Sequence, residues 1–517
     1  MKDKNITLGD ISDTDINRSG PSGAEFVYVD ISSVDRSSKT IINPKKLKTS
    51  KAPSRAKQHL KSGDVLVSMT RPNLNAVALV PPTLTGAIGS TGFHVLRSKW
   101  VEPKFIFYLV QSREFIDDMS LRVQGALYPA VRPADISSFF LPPFSLSYQR
   151  SVVARLEELF SELDKGIESL KTAREQLKVY RQALLKHAFE GKLTEQWRKD
   201  NADKLKTADQ LLERIKQERE ARYQQQLEAW KVAVKLWEVG GKEGKKPRKP
   251  AGFKELPPID ETELDVLPEL PQTWIYRRLA EIAQIGSGMS VSRNRKLNKP
   301  VEVPYLRVAN VQRGSLALDE VKTMLIEEGQ LEALLLEKWD VLFNEGGDRD
   351  KLGRGWIWES QIERCITQNH VFRATTYLGG EVHSKFVSHW GNTYGQNYFD
   401  KGGKQTTNLA SINKTVLSMF PIPVPSEEEQ EQIIKELEEK MSTLDSFEMD
   451  IDTSLTKSEA LRQSILKKAF SGQLVPQDPN DEPASVLLER IAKEKEAAAV
   501  KAKKAKTVKK RTKKGCT

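Results

Sequence analysis

Side chains able to read nucleic-acid bases cluster on a few loops of this chain. Arg71, Asn73 and Asn75 follow an apolar run at Val65, and Gln124, Tyr128 and Arg132 occupy a stretch rich in Gly and Pro. Further on, Arg293, Asn294 and Arg295 stand with Lys296 and Asn298, Arg349, Lys351 and Arg354 follow Asn344, and Lys404, Gln405, Thr406 and Asn408 form a third group. A guanidinium or ammonium pairs with the guanine edge and a carboxamide with the adenine edge, so these are the types that major-groove readout needs. Loop Arg, Asn and Gln are more often merely solvated, so each is a candidate contact only. A second feature suits phosphates: between Arg36 and Lys61 there are nine Lys or Arg and no acid, among them Lys45, Lys46, Lys48, Arg55 and Lys57.

Catalytic constellations are missing from the sequence. It contains no GxxxxGK[ST] loop for nucleotide phosphates, no HExxH and no Cys/His metal set. An amino-methyltransferase places Asp, Asn or Ser before Pro-Pro-aromatic to hold the target amine. Here Leu141-Pro142-Pro143-Phe144 offers a leucine, which cannot accept that hydrogen bond. Gly286-Ser287-Gly288 is a lone GxG, a weak hint of a cofactor loop, and His187 lies in a helical stretch as a surface or seam residue. No nucleophile, base and orienting group assemble, so no catalytic residue and no metal or cofactor site is expected in this chain.

The elements that must position the loops are announced by a duplication. Gln149 to Leu193 falls without a gap on Gln430 to Leu474 after a shift of 281, and 16 of the 45 aligned pairs are identical. Leu156, Phe160, Leu163, Ile167 and Leu170 continue through Leu177, Tyr180 and Leu184 in steps of three and four apart from one gap, between Leu170 and Leu177. Leu437, Met441, Leu444 and Ile451 mark the same seam in the second copy. So narrow an apolar stripe predicts long coiled-coil helices, stopped at Gly191 and Gly472. Two matched copies predict that each helix has the other as its partner.

The surrounding chain divides accordingly. Residues 1–145 read as a mixed globule with strands at Phe26–Ile31 and Asp64–Met69 and a helix at Pro103–Ile116. The first long helix takes 146–195 and a second helical segment 196–240. A Gly/Lys/Pro linker of little helix or strand capacity fills 241–271, and a second mixed globule, echoing the first, spans 272–425. The second long helix takes 426–475 and a short helix 476–492, where Leu487-Leu488-Glu489-Arg490-Ile491 repeats Leu211-Leu212-Glu213-Arg214-Ile215. Residues 493–517 carry 11 Lys or Arg against 2 Glu, most of the net charge of +11, and their composition predicts a disordered basic tail. Two cysteines, an amino terminus without an apolar region and the lack of any long apolar run predict a cytoplasmic chain.

The whole pattern up to about residue 492 resembles the specificity subunit of type I restriction-modification enzymes. The marks are Gln149-Arg150-Ser151-Val152-Val153 with Ala188-Phe189-Glu190-Gly191-Lys192-Leu193, and Gln430-Glu431-Gln432-Ile433-Ile434 with Ala469-Phe470-Ser471-Gly472-Gln473-Leu474. The first globule departs in lacking a lead-in like Pro271-Gln272-Thr273-Trp274, and the tail is no family hallmark. The resemblance implies an α+β fold in which two target-recognition domains are joined by an antiparallel coiled coil with a pseudo-two-fold internal repeat. It implies a non-catalytic subunit that binds double-stranded DNA, two modification (methyltransferase) subunits and two restriction (translocase and nuclease) subunits. S-adenosylmethionine, ATP and Mg would belong to those partners. A helix of this length, about 68 Å, exceeds the roughly 34 Å between sites one DNA turn apart, and with antiparallel pairing and different loops on each globule the implied target is bipartite and asymmetric. A coiled-coil scaffold with no DNA role is the alternative.

Overall fold

The computed structural model describes residues 6–12, 16–98, 100–124, 129–203, 206–242, 246–291, 296–347, 351–402, 404–405, 410–483, 485–493 and 496–497. Two compact units divide the chain, one of residues 1–172 with 450–517, the other of 173–449. Each combines one globule with part of each long helix. The basic tail expected at 493–517 lies almost wholly outside the described residues.

In the first unit, short runs, several of them carrying β-branched or aromatic residues, form strands β1 (Ile6–Thr7), β2 (Glu25–Val29), β3 (Lys45–Lys48), β4 (Ala56–His59), β5 (Val65–Ser68), β6 (Val77–Leu79), β7 (Ile88–Ser90), β8 (Phe93–Leu96) and β9 (Phe140–Leu141). β2 pairs antiparallel with β3 and parallel with β7, in register Tyr28 to Ile88, and β4 closes that sheet on the β7 edge. β5 sits between β8 and β6, and β1 pairs with β9. The helix expected over Pro103–Ile116 is instead two, α1 (Pro103–Leu109) and α2 (Arg113–Leu121). Ser112 divides them because its hydroxyl accepts the Phe115 amide at 3.3 Å, restarting the chain as an N-cap.

The long helix α3 spans Leu146–Phe189 and α4 spans Ala208–Val239. The second unit then adds β10 (Ile275–Arg278), β11 (Ala283–Ser287), β12 (Pro300–Leu306), β13 (Lys322–Glu327), β14 (Val341–Asn344), β15 (Ile366–Thr367), β16 (Val371–Thr376), helix α5 (Glu381–Gly402), β17 (Pro421–Val424) and the long helix α6 (Glu427–Phe470). Its pairings repeat the first unit's. β12 lies antiparallel to β13 and parallel to β15, in register Tyr305 to Ile366, β14 pairs with β16, and β10 pairs with β17. The fold is thus α+β, with one framework built twice and two long helices that run antiparallel. Gly286 and Ser287 belong to strand β11, where a Cβ at Gly286 would meet the Arg373 side chain at 2.5 Å. That glycine serves close packing between strands rather than a cofactor loop.

Both long helices begin and end alike. Ser145 and Ser426 are the N-caps, their hydroxyls accepting from Tyr148 and Glu429 amides at 3.1 and 3.2 Å. Gly191 and Gly472 end them with φ of +69° and +76°, the left-handed C′ conformation that glycine adopts without penalty. In the first unit the early part of α3 packs on the late part of α6, with Leu156, Phe160, Leu466 and Ala469 buried and Leu163 at the edge of that core. In the second unit the late part of α3 packs on the early part of α6 through Leu184, Ala188, Leu437 and Leu444, with Met441 at the margin. Ile167 and Leu170 are half-buried and Ile451 is buried. Tyr180, expected in the stripe, is 53% exposed, a correction to the seam.

A matched ion pair marks the register in each unit. Arg181 Nη2 donates to Asp445 at 2.6 Å, and Arg462 Nη2 donates to Asp164. A shift of 281 turns Asp164 into Asp445 and Arg181 into Arg462, so these are the same contact made twice. The neighbour matches too: Arg462 lies 4.5 Å from the Phe160 ring centre, and Arg181 approaches the sulfur of Met441, the counterpart of Phe160.

Candidate nucleic-acid interface

The framework aims its loops through buried carboxylates. Asp64 and Asp340, both fully buried, open β5 and β14, and each accepts the amide three residues back, Lys61 or Glu337, at 2.8 Å. Arg97 clamps Asp64 with two bonds of 2.6 Å, while the Thr375 hydroxyl donates to Asp340. Burial pushes the Asp340 carboxyl above the usual range despite that hydroxyl. The loops that follow β5 and β14 therefore leave from matched, rigid bases.

After β5 the backbone turns sharply. Arg71 and Asn75 both take left-handed conformations, φ +48° and +44°, a strained arrangement for non-glycine residues that recurs at functional sites. The Arg71 amide donates to Pro129 O at 2.8 Å and the Val131 amide to Met69 O at 2.9 Å, so the segment from Pro129 to Val131 lies against this turn. Arg71, Asn73, Gln124 and Arg132 are all exposed there, and Arg132 Nε donates to the Gln124 carboxamide at 3.2 Å. Tyr128 lies outside the described residues.

Asn75 is a correction. Its side chain is buried, with Nδ2 donating to Val110 O at 2.7 Å and Oδ1 accepting from Lys39 Nζ at 3.0 Å. A buried carboxamide with both its oxygen and its nitrogen turned to internal partners is out of a base's reach. Lys39 is held there with its pKa pushed down to about 8, first by burial.

The basic stretch falls on the first unit's four-stranded sheet. Lys46 and Lys48 are exposed on β3 at one edge, Arg55 and Lys57 are exposed in and before β4 at the other, and Arg36 is exposed in the turn that precedes β3. Lys45 is already engaged, 2.6 Å from Asp30. Burial works against the Asp30 carboxylate, but hydrogen bonds from Lys45 and Ser32 outweigh it and hold its pKa below the usual range.

In the second unit Lys351 and Arg354 follow β14 as Arg71 and Asn73 follow β5. Both are half-buried, and Arg354 Nη2 donates to Val308 O at 3.4 Å. Asn344, at the end of β14, is buried and spends its Nδ2 on Val311 O at 2.9 Å, again a structural asparagine. Lys404 and Gln405 form a short strand on Ala410–Ser411, which also pairs with Gly346–Gly347, so the backbone brings these two short strands beside the segment that follows β14. Arg293, Asn294, Arg295, Arg349, Thr406 and Asn408 lie outside the described residues. Glu345, Asn369 and His370 were missed from sequence. His370 Nδ1 lies 2.5 Å from Glu345 Oε2 and its Nε2 lies 3.3 Å from the Asn369 amide, beside the same segment. The Asn-His dipeptide between two apolar strands was the available signal.

Leu141 is buried on β9, and Phe144 stacks edge-on against Tyr148 at 4.8 Å, so this segment packs the core. Among the described residues no three His, Cys, Asp or Glu side chains gather as a metal site, and no helix is long and apolar enough to cross a membrane.

Residues 271–456 match the family model described as the type I restriction modification DNA specificity domain. The chain is 22% identical over 424 residues to the type I restriction enzyme EcoDI specificity subunit of Escherichia coli, covering 78% of this chain and 79% of that one. It is 21% identical over 419 residues to the EcoKI specificity subunit of Escherichia coli strain K12, covering 78% and 74%. A chain from a solved structure concerned with assembly and conformational transition of the type I R-M system matches with a TM-score of 0.64 and 22% identity, over 91% of this chain and 97% of that one. That likeness is one of fold.

Proposed function

We propose that the chain is a specificity subunit of the type I restriction-modification kind, the family its partial model match and its relatives point to, and that its two units each read one half of a bipartite, asymmetric duplex target. The observation that carries this reading is one strand framework, with its buried aspartate, supporting two different loop sets. Arg71, Asn73, Gln124 and Arg132 serve the first half. Lys351, Arg354 and the 404–411 loop serve the second. Lys46, Lys48, Arg55 and Lys57 hold phosphates and set orientation without reading sequence. The paired helices dock two modification subunits, which bring S-adenosylmethionine, and two restriction subunits follow with ATP and Mg. The chain itself performs no chemistry.

Gel-shift competition between a target duplex and random duplex, with the modification subunit present and at stated salt, tests the reading. Discrimination of about a thousandfold or more is expected. Equal competition by random duplex would overturn it and leave a scaffold.

A further inference from the structure

The linker between the two halves of the sequence is docked, and its docking builds a cleft. Tyr223, Trp230 and Trp237 recur every seven residues on α4 and so share one face. The linker runs back along them. Lys246 sits 5.9 Å from the Trp237 ring centre, Pro247 O accepts from Trp230 Nε1 at 3.1 Å, Lys249 lies 6.0 Å from the Trp230 ring, and a Cβ at Gly252 would touch Tyr223 at 3.4 Å. The run ends with Phe253 under the Arg219 guanidinium, 3.6 Å from its ring centre.

Between α4, this strap and the second globule lies a cavity of about 450 Å³. Its lining carries Arg219, Arg222, Lys254 and Lys414 against a single carboxylate, Glu220. Arg219 donates to a backbone carbonyl, that of Glu281, at 3.3 Å, which leaves its charge uncancelled, whereas Arg222 meets the largely exposed Glu337 at 3.1 Å. Burial pushes the Tyr377 hydroxyl up while Arg219 and Arg222 pull it down, which puts both arginines close to that wall. Lys414 is held below the ordinary lysine range, first by burial and then by the like charge of Arg373. Neither Lys254 nor Lys414 has an ion-pair partner among the described residues. Uncompensated cations gathered around a cavity with aromatic walls favour an anion that carries several oxygens and a flat or apolar appendage.

We propose that this cleft is a phosphate-binding site. It takes either a phosphodiester of nucleic acid or the phosphates of a free nucleotide, with the strap as one wall. Only the nucleic-acid source rests on the target-recognition reading.

The test uses the full-length protein and the double variant Lys254→Gln with Lys414→Gln, whose side chains hold no internal partner that folding needs. In one arm, pyrophosphate and ATP are titrated calorimetrically, and saturable binding should weaken roughly tenfold or more in the variant. In the other, affinity for random duplex is measured against salt. If the source is a duplex, the slope of log K on log salt should fall by about 1, with the ratio of target to random affinity unchanged. A change in the first arm alone assigns the site to nucleotides, and in the second to nucleic acid. No change in either overturns the proposal. A wild-type ratio of one would instead sink the target-recognition reading, and it leaves the pyrophosphate arm intact.

Discussion

Replacing Glu429 by alanine should be among the most damaging single changes in the second unit. Its carboxylate is 1% exposed and accepts from Arg198 Nε at 2.8 Å, Thr194 Oγ1 at 2.9 Å and Trp274 Nε1 at 2.8 Å. These donors come from the turn after α3 and from the approach to β10, so one carboxylate joins both to the start of α6. Removing it strands a guanidinium whose side chain is only 16% exposed and a buried indole N–H. Breaking a buried pair from one side costs about 3–5 kcal/mol, and at about 2–4 °C per kcal/mol the melting temperature should drop by roughly 6–20 °C. Asp445→Ala is the control, because it removes a partner that is 63% exposed from Arg181 and should cost under about 1 kcal/mol. Intrinsic fluorescence isolates the effect, since every tryptophan except Trp100 lies within 173–449. If Glu429→Ala melts no earlier than Asp445→Ala, the reasoning about buried charge here is wrong.

Three further outcomes follow from the same coordinates. Arg462→Ala should cost about 1–2 kcal/mol, because a cation–π contact with Phe160 adds to the Asp164 pair; a double-mutant cycle with Phe160→Leu that shows no coupling would refute this. His389, packed on Trp356 at 5.0 Å, has its pKa pushed down to about 4, first by burial and then by Lys385. Its folded pKa lies below the unfolded value, so its effect is nil above about pH 6.5 and stability is lost as pH falls from there towards 4. The loss should reach roughly 2–3 kcal/mol, and His389→Gln should flatten the urea midpoint against pH over that window. Asn75→Ala and Asn344→Ala should each destabilise by about 1–3 kcal/mol and leave the methylated sequence unchanged, whereas Arg71→Ala should alter one half-site at little cost in stability. Sequencing of methylated sites in strains carrying each variant separates the two behaviours.

The long helices were legible because a stripe of apolar residues recurs after a fixed shift, and only matched partners explain two such stripes. Their ends at Gly191 and Gly472 were visible for the same reason, whereas the N-caps Ser145 and Ser426 emerge only from the structure. Less legible was anything decided by which way a side chain turns. Asn73 and Asn75 are the same type two residues apart, yet the left-handed kink at Asn75 sends that carboxamide inward to Val110 O while Asn73 stays outside. The break at Ser112 escaped because a hydrophobic period continues across it, and periodicity does not record a hydroxyl capping a new helix. In the linker, composition gave little capacity for helix or strand, though one helical turn forms at Glu261–Leu264, and it could not say that Gly252 and Pro247 would settle on an aromatic ladder. The spacing of Tyr223, Trp230 and Trp237 was the hint.

Low identity between the two halves conceals how closely their contacts correspond. Under the shift of 281, Tyr148 becomes Glu429 and Thr194 becomes Val475. In the first unit the Tyr148 hydroxyl donates to Val475 O at 2.9 Å, and in the second Glu429 accepts from the Thr194 hydroxyl at 2.9 Å. The same two positions meet in both, but donor and acceptor have exchanged ends and a phenol has replaced a carboxylate. A helix start and the turn after its partner's end must be joined there in each unit, and either chemistry meets that demand. The aspartate–arginine pair between the helices has stayed the same in both copies. A salt bridge across a seam constrains type and spacing together, because it needs two opposite charges at one separation, whereas a bond to a backbone carbonyl constrains only one side chain. That difference explains why the seam could be read as a repeat from sequence and the joint at its ends could not.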